Sequence, residues 1–404
     1  MTTTRPADTR PSSTRPLGSG PARSVADDVA SLFAFGADAR GYSTEGDVLV
    51  NQTADGVDLN TIWAEAQTAM GLWNQKRSAL ASLISYQTVN SGDAIPQVIG
   101  GDHFEKASEF GEPTGLRSAP DALLLGYDFD DFDLASRMSW KFLRSASAEQ
   151  VYAIISRAME ADNRLVTGTI LRRLFDPAQG INEYGQPVYG LYNGSDGMVP
   201  PPHAGQEFPS STSHYLVSGN TALDPGDLTD AITQVQSKGF GTTQNSRLLV
   251  LAHPHEAEVA ASFRAGEITN GVESRYDFIP SSSAPAYLTP DNVVGQVAPG
   301  EFAGLEVLGS FGPAWICPSF YLPQGYIAVV ATGGPNSSNN PVAARQHPNP
   351  AYQGLRQIPG NGPYPLTSSF FQRSFGTGVR YRGAACIVQV KASGPYTAPT
   401  WAWT

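Results

Sequence analysis

Residues 147–175 read SAEQVYAIISRAMEADNRLVTGTILRRLF. The Ser147 hydroxyl can accept from the backbone N–H of Gln150, and the Gln150 side chain can reach back to the Ser147 N–H, a capping box that opens a helix. Val151, Ile154, Ile155, Ala158 and Leu165 recur at three- and four-residue spacings, against a polar face of Glu149, Arg157, Glu160 and Asp162. Arg172 and Arg173 suit the negative end of the helix dipole. Asp176-Pro177 then stops the run, because the residue before proline is pushed out of the α region. The pattern predicts one amphipathic helix of 29 positions, about 43 Å long, which serves as a spine. Gly168 is its weak point, costing about 1 kcal/mol against alanine, and marks a kink or a close helix crossing.

The 404 residues allow two or three domains and a sizeable core. A net charge of −11 excludes a surface that grips nucleic acid through a dense field of Lys and Arg. Only five lysines occur, Lys76, Lys106, Lys141, Lys238 and Lys391. Cys317 and Cys386 each lie in an apolar segment, which predicts buried free thiols and a reducing compartment. No apolar run reaches the length a bilayer needs and the first residues hold no apolar h-region, so the expectation is a chain that is neither secreted nor membrane-spanning.

Upstream of the spine, residues 1–58 read as a flexible arm. Thr2 to Ser24 is Thr, Pro, Ser and Gly with Arg5, Arg10, Arg15 and Arg23, too polar to bury a core. Asp58 caps a predicted helix over 59–84, whose Trp63 and Trp73 make it adhesive toward its own core or a neighbouring subunit. Tyr86–Val98 and Ala122–Trp140 carry strand-like residues around a Gly-rich, charged interval, the pattern of a long two-stranded flap that needs another surface to lie on. The turn Tyr127-Asp-Phe-Asp-Asp-Phe-Asp133 lacks the spacing of a calcium loop and reads as a solvated strand edge.

Downstream, Tyr184–Pro209 is a turn-rich boundary. Asp224-Pro225 starts a helix that Lys238-Gly239 ends. Arg247–Ala252 is a buried-type strand, Pro254–Ala265 a helix and Val293–Thr332 a series of short strands, together a mixed sheet with helices against it. Gly333–Ser368 is too rich in Pro, Gly and Asn for a simple connection, and is either functional or partly disordered. Gly378–Lys391 alternates as a strand, and Trp401 and Trp403 need something to dock on.

The chain has no phosphate-binding loop and no Gly-x-Ser-x-Gly elbow. His253-Pro-His-Glu256 places its histidines two apart, where helix-borne zinc sites place them four apart, so it reads as a strand end and helix start. No catalytic, cofactor or metal residue is assigned.

Five stretches resemble the major capsid proteins of tailed bacteriophages, especially those of actinobacteria, with the α+β fold known as the Hong Kong 97 type. They are Phe104-Glu-Lys-Ala-Ser-Glu-Phe-Gly-Glu-Pro113, Leu125-Gly-Tyr-Asp-Phe-Asp-Asp-Phe-Asp-Leu-Ala135 with Trp140-Lys-Phe142, Asn163-Arg-Leu165, Asn340-Pro-Val342 and Phe375-Gly-Thr-Gly-Val-Arg-Tyr-Arg-Gly-Ala384. The resemblance implies an N-terminal arm over 1–58, a helix over 59–84 and an extended loop over 85–140. It further implies a peripheral domain over 141–215 with its spine at 147–175, an axial domain over 216–335, and a return segment with final peripheral strands over 336–404.

The implied function is structural, with copies forming the hexamers and pentamers of an icosahedral virion shell around double-stranded DNA, assembled in the host cytoplasm. The implied partners are identical subunits, a separate scaffolding protein, a portal, a decoration protein and DNA held without sequence specificity; no membrane or cofactor is involved. Glu105, Lys106, Glu109, Glu112, Arg117, Trp63, Trp73, Arg380 and Arg382 are the candidate inter-subunit contacts. Some relatives cross-link their shells through a lysine in this loop, where Lys106 stands beside Glu105, although a plain charged surface is the better reading of it. Two other readings fit the residues: an encapsulin shell of the same fold, and a soluble α/β hydrolase using His253 or His255.

Overall fold

A computed structural model describes residues 52–75, 78–96, 106–107, 122–143, 145–243, 245–283, 297–359 and 366–401. The arm up to residue 51 lies outside them, as do Glu105, Glu109, Glu112, Arg117 and Trp403. The spine runs unbroken from Ala148 to Phe175, 28 residues, with Gly168 buried inside a continuous helix. At its start the Gln150 side chain accepts from the Ser147 N–H at 3.2 Å. The next free donor, the Ala148 N–H, is taken by the Asp55 carboxylate at 3.1 Å.

This helix links two cores. Val151, Ile155 and Ala158 pack against Leu59, Ile62, Ala66 and Met70 of the helix Leu59–Gln75. Its second half, Val166, Ile170, Leu171, Leu174 and Phe175, packs against Leu249, Leu251, Val330 and Ile387. One expectation fails here: Asp162, assigned above to the polar face, is buried and bonded to Trp73 and Arg373. The helix expected over 59–84 is also two helices, Leu59–Gln75 and Ala79–Ile84. Ser78 restarts it by accepting from the Ala81 N–H, while its hydroxyl lies 2.9 Å from that of Thr167 on the spine.

A mixed seven-stranded sheet has the order 278–280, 309–311, 314–318, 247–252, 326–332, 385–389, 215–217. Its middle strand, Arg247–Ala252, is apolar at successive positions because both faces are covered. Leu249 and Leu251 meet the spine core, whereas Leu248, Val250 and Ala252 meet the helices Pro225–Gln236 and Pro254–Ala261. Cys317 and Cys386 are buried free thiols on strands of this sheet.

A second, five-stranded sheet is built on the strand Leu366–Val379. One edge of that strand pairs with both Val342–Gln346 and Leu355–Pro359, and the other with Asp130–Ser139; Ser85–Thr88 adds in parallel beside Val342–Gln346. Within the segment 333–368, residues 342–346, 355–359 and 366–368 are therefore strands of this sheet.

Two further expectations are corrected by this pairing. Among the described residues the flap pairs as a hairpin where Gly92–Pro96 meets Ala122–Gly126, while Ser85–Thr88 and Asp130–Ser139 belong to the five-stranded sheet. The single strand expected over 378–391 is two: Val379 ends one in the five-stranded sheet, and Ala385–Gln389 begins another inside the seven-stranded sheet.

Candidate assembly surface

The hairpin of Gly92–Pro96 and Ala122–Gly126 is held to the body at its root by a buried polar cluster. Tyr127 donates to the Asp93 carboxylate at 2.6 Å, and its hydroxyl lies 3.2 Å from that of Tyr86. Burial, before any other cause, pushes both phenols above their usual range, so they remain hydroxyl donors. Arg380 completes the cluster, 3.6 Å from Asp93 and stacked near the rings of Tyr86 and Tyr381. Asn182 ties the root from below, donating to the carbonyl of Ser91 at 3.0 Å and to the Gln186 side chain at 2.9 Å.

Beside the root, backbone passes over backbone. A Cβ at Gly376 would lie 1.6 Å from the Asp128 carbonyl oxygen, and one at Gly378 would lie 2.5 Å from the Tyr127 ring. Only glycine admits residues 126–129 so close to the strand, which is the physical content of the Phe375-Gly-Thr-Gly stretch. Asp128 then bonds Arg173 of the spine, and Arg345 bonds Glu183 at 2.7 Å and the Tyr127 carbonyl at 3.1 Å. Of the four aspartates read as a solvated edge, Asp130, Asp131 and Asp133 are exposed, while Asp128 is half-buried in its ion pair. Burial, more than its neighbours, holds the Asp128 carboxyl above its ordinary value, with Arg173 opposing.

Asn340 joins the two sheets. Its fully buried amide donates to the carbonyls of Ser82, Ser85 and Gly334, and its oxygen accepts from Thr332 and the Gly333 N–H, all within 3.1 Å. The Asn-Pro-Val stretch carried the sequence resemblance without revealing this role. Arg345 and Asn182 gave no sequence signal at all.

The candidate contact residues sort by burial. Arg382 is enclosed by its own chain: it is 3% exposed, bonds Asp196 and the carbonyls of Gly190 and Leu191, and lies between the rings of Tyr189 and Tyr192. It offers no face to a neighbour, which corrects the expectation made for it. Trp73 is half-buried and donates to Asp162 at 3.0 Å; Trp63 packs partly buried in the same core. Arg380 keeps a third of its side chain exposed, and Lys106 is exposed.

His253 caps the helix Pro254–Ala261 by accepting from the His255 N–H at 3.3 Å, and Glu256 accepts from the Gly325 N–H at 2.9 Å. Among the described residues, no His, Cys, Asp and Glu cluster has the geometry of a metal site. No helix there is long and apolar enough to cross a membrane.

A solved structure from Mycobacterium phage Patience is 37% identical to this chain, aligned over 89% of it and 96% of that chain, with a TM-score of 0.68. This chain belongs to the tailed-phage major capsid proteins of the Hong Kong 97-type fold. The mature capsid of bacteriophage PhiM1 is 10% identical, over 79% of the capsid chain described here and 89% of its own, at a TM-score of 0.46. The holo-SrpI encapsulin complex from Synechococcus elongatus is 14% identical, over 79% and 89%, at 0.42. No protein-family model matches the capsid chain, and no curated protein matches it in sequence.

Proposed function

We propose that this chain builds the icosahedral shell of a tailed phage by closing hexamers and pentamers of itself around double-stranded DNA. The observation that carries this reading is the near full-length similarity to the Mycobacterium phage Patience protein. The root of the hairpin supports it: a two-stranded element is marginal alone, and here its described part is fixed at the base by Tyr127, Asp93, Arg380 and Asn182, which suits a loop that lies on another copy.

In this reading residues 85–140 supply the extended loop, with its ends stitched into the five-stranded sheet. The spine and that sheet form the peripheral domain, and residues 216–335, joined by Ala385–Gln389, form the axial domain. Lys106, Glu105, Glu109, Glu112 and Arg117 on the loop, with Arg380 at its root and Trp63 and Trp73 on the first helix, are the proposed contacts. Charge pairing among the loop residues fixes register between subunits more than it adds affinity. A separate scaffolding protein, a portal and a decoration protein complete the assembly, and the role of the chain is structural, not catalytic.

The test is negative-stain microscopy and sedimentation of the purified full chain, alone and with its scaffolding protein. Closed particles, or rings of six and five, are expected. A chain that stays monomeric at every concentration and with scaffold present would sink the reading.

A further inference from the structure

The strand Asp130–Ser139 pairs with Leu366–Phe375 in an unbroken one-to-one register, and among the described residues its other edge pairs with no strand. Ten residues at about 3.3 Å each give about 33 Å of edge that no described strand covers. Natural sheets blunt such edges with proline, charged side chains or a bulge, and this one has neither proline nor bulge. What it has is a charge gradient, with Asp131 and Asp133 toward one end and Arg137 toward the other. Strand alternation places these three and Ala135 on one exposed face, while Phe132 and Met138 on the other face pack into the body. Neither Asp133 nor Arg137 makes an ion pair among the described residues.

We propose that two copies of this chain join edge to edge through this strand, antiparallel, about a two-fold axis at Ala135. The inference rests on the self-assembly argued above and names the surface that performs one of its contacts. Antiparallel pairing about this axis keeps the packed faces of both sheets on the same side. It sets Asp133 opposite Arg137 of the second copy, twice by symmetry, and puts Asp131 diagonal to the same arginine. Ser374 donates to the Asp131 carboxylate and holds it in place. Other registers do worse. Centring on Leu134 sets Asp131 opposite Arg137 but brings the two Asp133 carboxylates diagonal to each other, and parallel in-register pairing lays each carboxylate against its own copy.

Cysteine cross-linking reads this register directly. In Ala135→Cys the two thiols face each other across the axis, within the reach of a disulfide. In Asp131→Cys they are eight residues out of step, about 26 Å apart. Mild oxidation of assembled particles is expected to give a band of twice the subunit mass for A135C and none for D131C, with the wild-type chain silent because Cys317 and Cys386 are buried. Charge reversal is the second measurement. Asp133→Arg or Arg137→Asp alone is expected to lower particle yield about tenfold, and the double D133R/R137D variant to restore it, because the swap rebuilds the pair in both halves. Particles in which A135C gives no dimer, or D131C gives as much, overturn the edge pairing and leave shell building standing. A wild-type chain that forms no particle overturns both.

Discussion

Asn340 and Gly376 show how much of this architecture hangs on single side chains. Removing the Asn340 amide takes a donor from the Ser82, Ser85 and Gly334 carbonyls, the first and last of which keep the N–H groups of Asn336 and Ser337, and an acceptor from the Thr332 hydroxyl and the Gly333 N–H. Asn340→Ala is expected to cost about 3 kcal/mol. Asn340→Asp is expected to cost more, because a carboxylate oxygen would then face the Ser82, Ser85 and Gly334 carbonyls; urea unfolding of the purified chains ranks the two. Gly376→Ala forces a methyl group into the Asp128 carbonyl, where neither backbone can move without unpairing the strand. A loss of about 3 kcal/mol or more is expected, and a midpoint equal to wild type would show that residues 126–129 do not cross there. The sequence displayed these residues as a resemblance. Their reason is a close approach between segments more than 200 positions apart, which no local pattern encodes.

Helices and strands obeyed local rules where their neighbours are local. The cap at Asp224 is an example: its carboxylate accepts from the Asp227 N–H at 3.0 Å, and Asp227 accepts from the Asp224 N–H at 3.1 Å. Burial first, and then the nearby carboxylates of Asp224 and Asp230, push Asp227 up to about 6 from an ordinary value of 3.8, against the Asp224 N–H hydrogen bond. Between those values the folded chain keeps a proton that the unfolded chain has released, so stability should fall as pH rises from about 4 to about 6 and then level off. Asp227→Asn should remove that slope, which unfolding midpoints taken across the window will show. Where pairing is long-range, local rules failed. The run 378–391 alternates like one strand, yet residues 380–384 turn it from one sheet to the other. Arg382 looked like a surface arginine because its partners, Asp196 and two carbonyls, are nearly 200 residues away.

At the scale of the molecule, a spine about 42 Å long fastens two sheets and a helix into one body, and the C-terminal segment straps it. Tyr396 donates to the Phe175 carbonyl at 2.8 Å, and Trp401 stacks edge-on against the Phe175 ring, so Trp401 docks as expected, while Trp403 lies outside the described residues. The net charge of −11 gives the whole chain a field that opposes DNA. In a gel-shift assay at about 0.15 M salt, the full chain is expected to leave duplex DNA unretarded at micromolar concentrations. Retention there would mean that the arginines of the N-terminal arm outweigh the acidic body.

The sequence by itself determined the spine, the caps at Asp58 and Asp224, the buried strand at 247–252 and the family, because each is written in neighbouring residues or in short stretches that resemble known proteins. Tertiary structure alone decided that Asp162 and Arg382 are buried, that the flap's ends are sheet strands, and that Ala385–Gln389 changes sheets. The physical reason is common to all three: a charge or a strand takes its place from the partner it finds across the fold, and that partner lies far away in the chain.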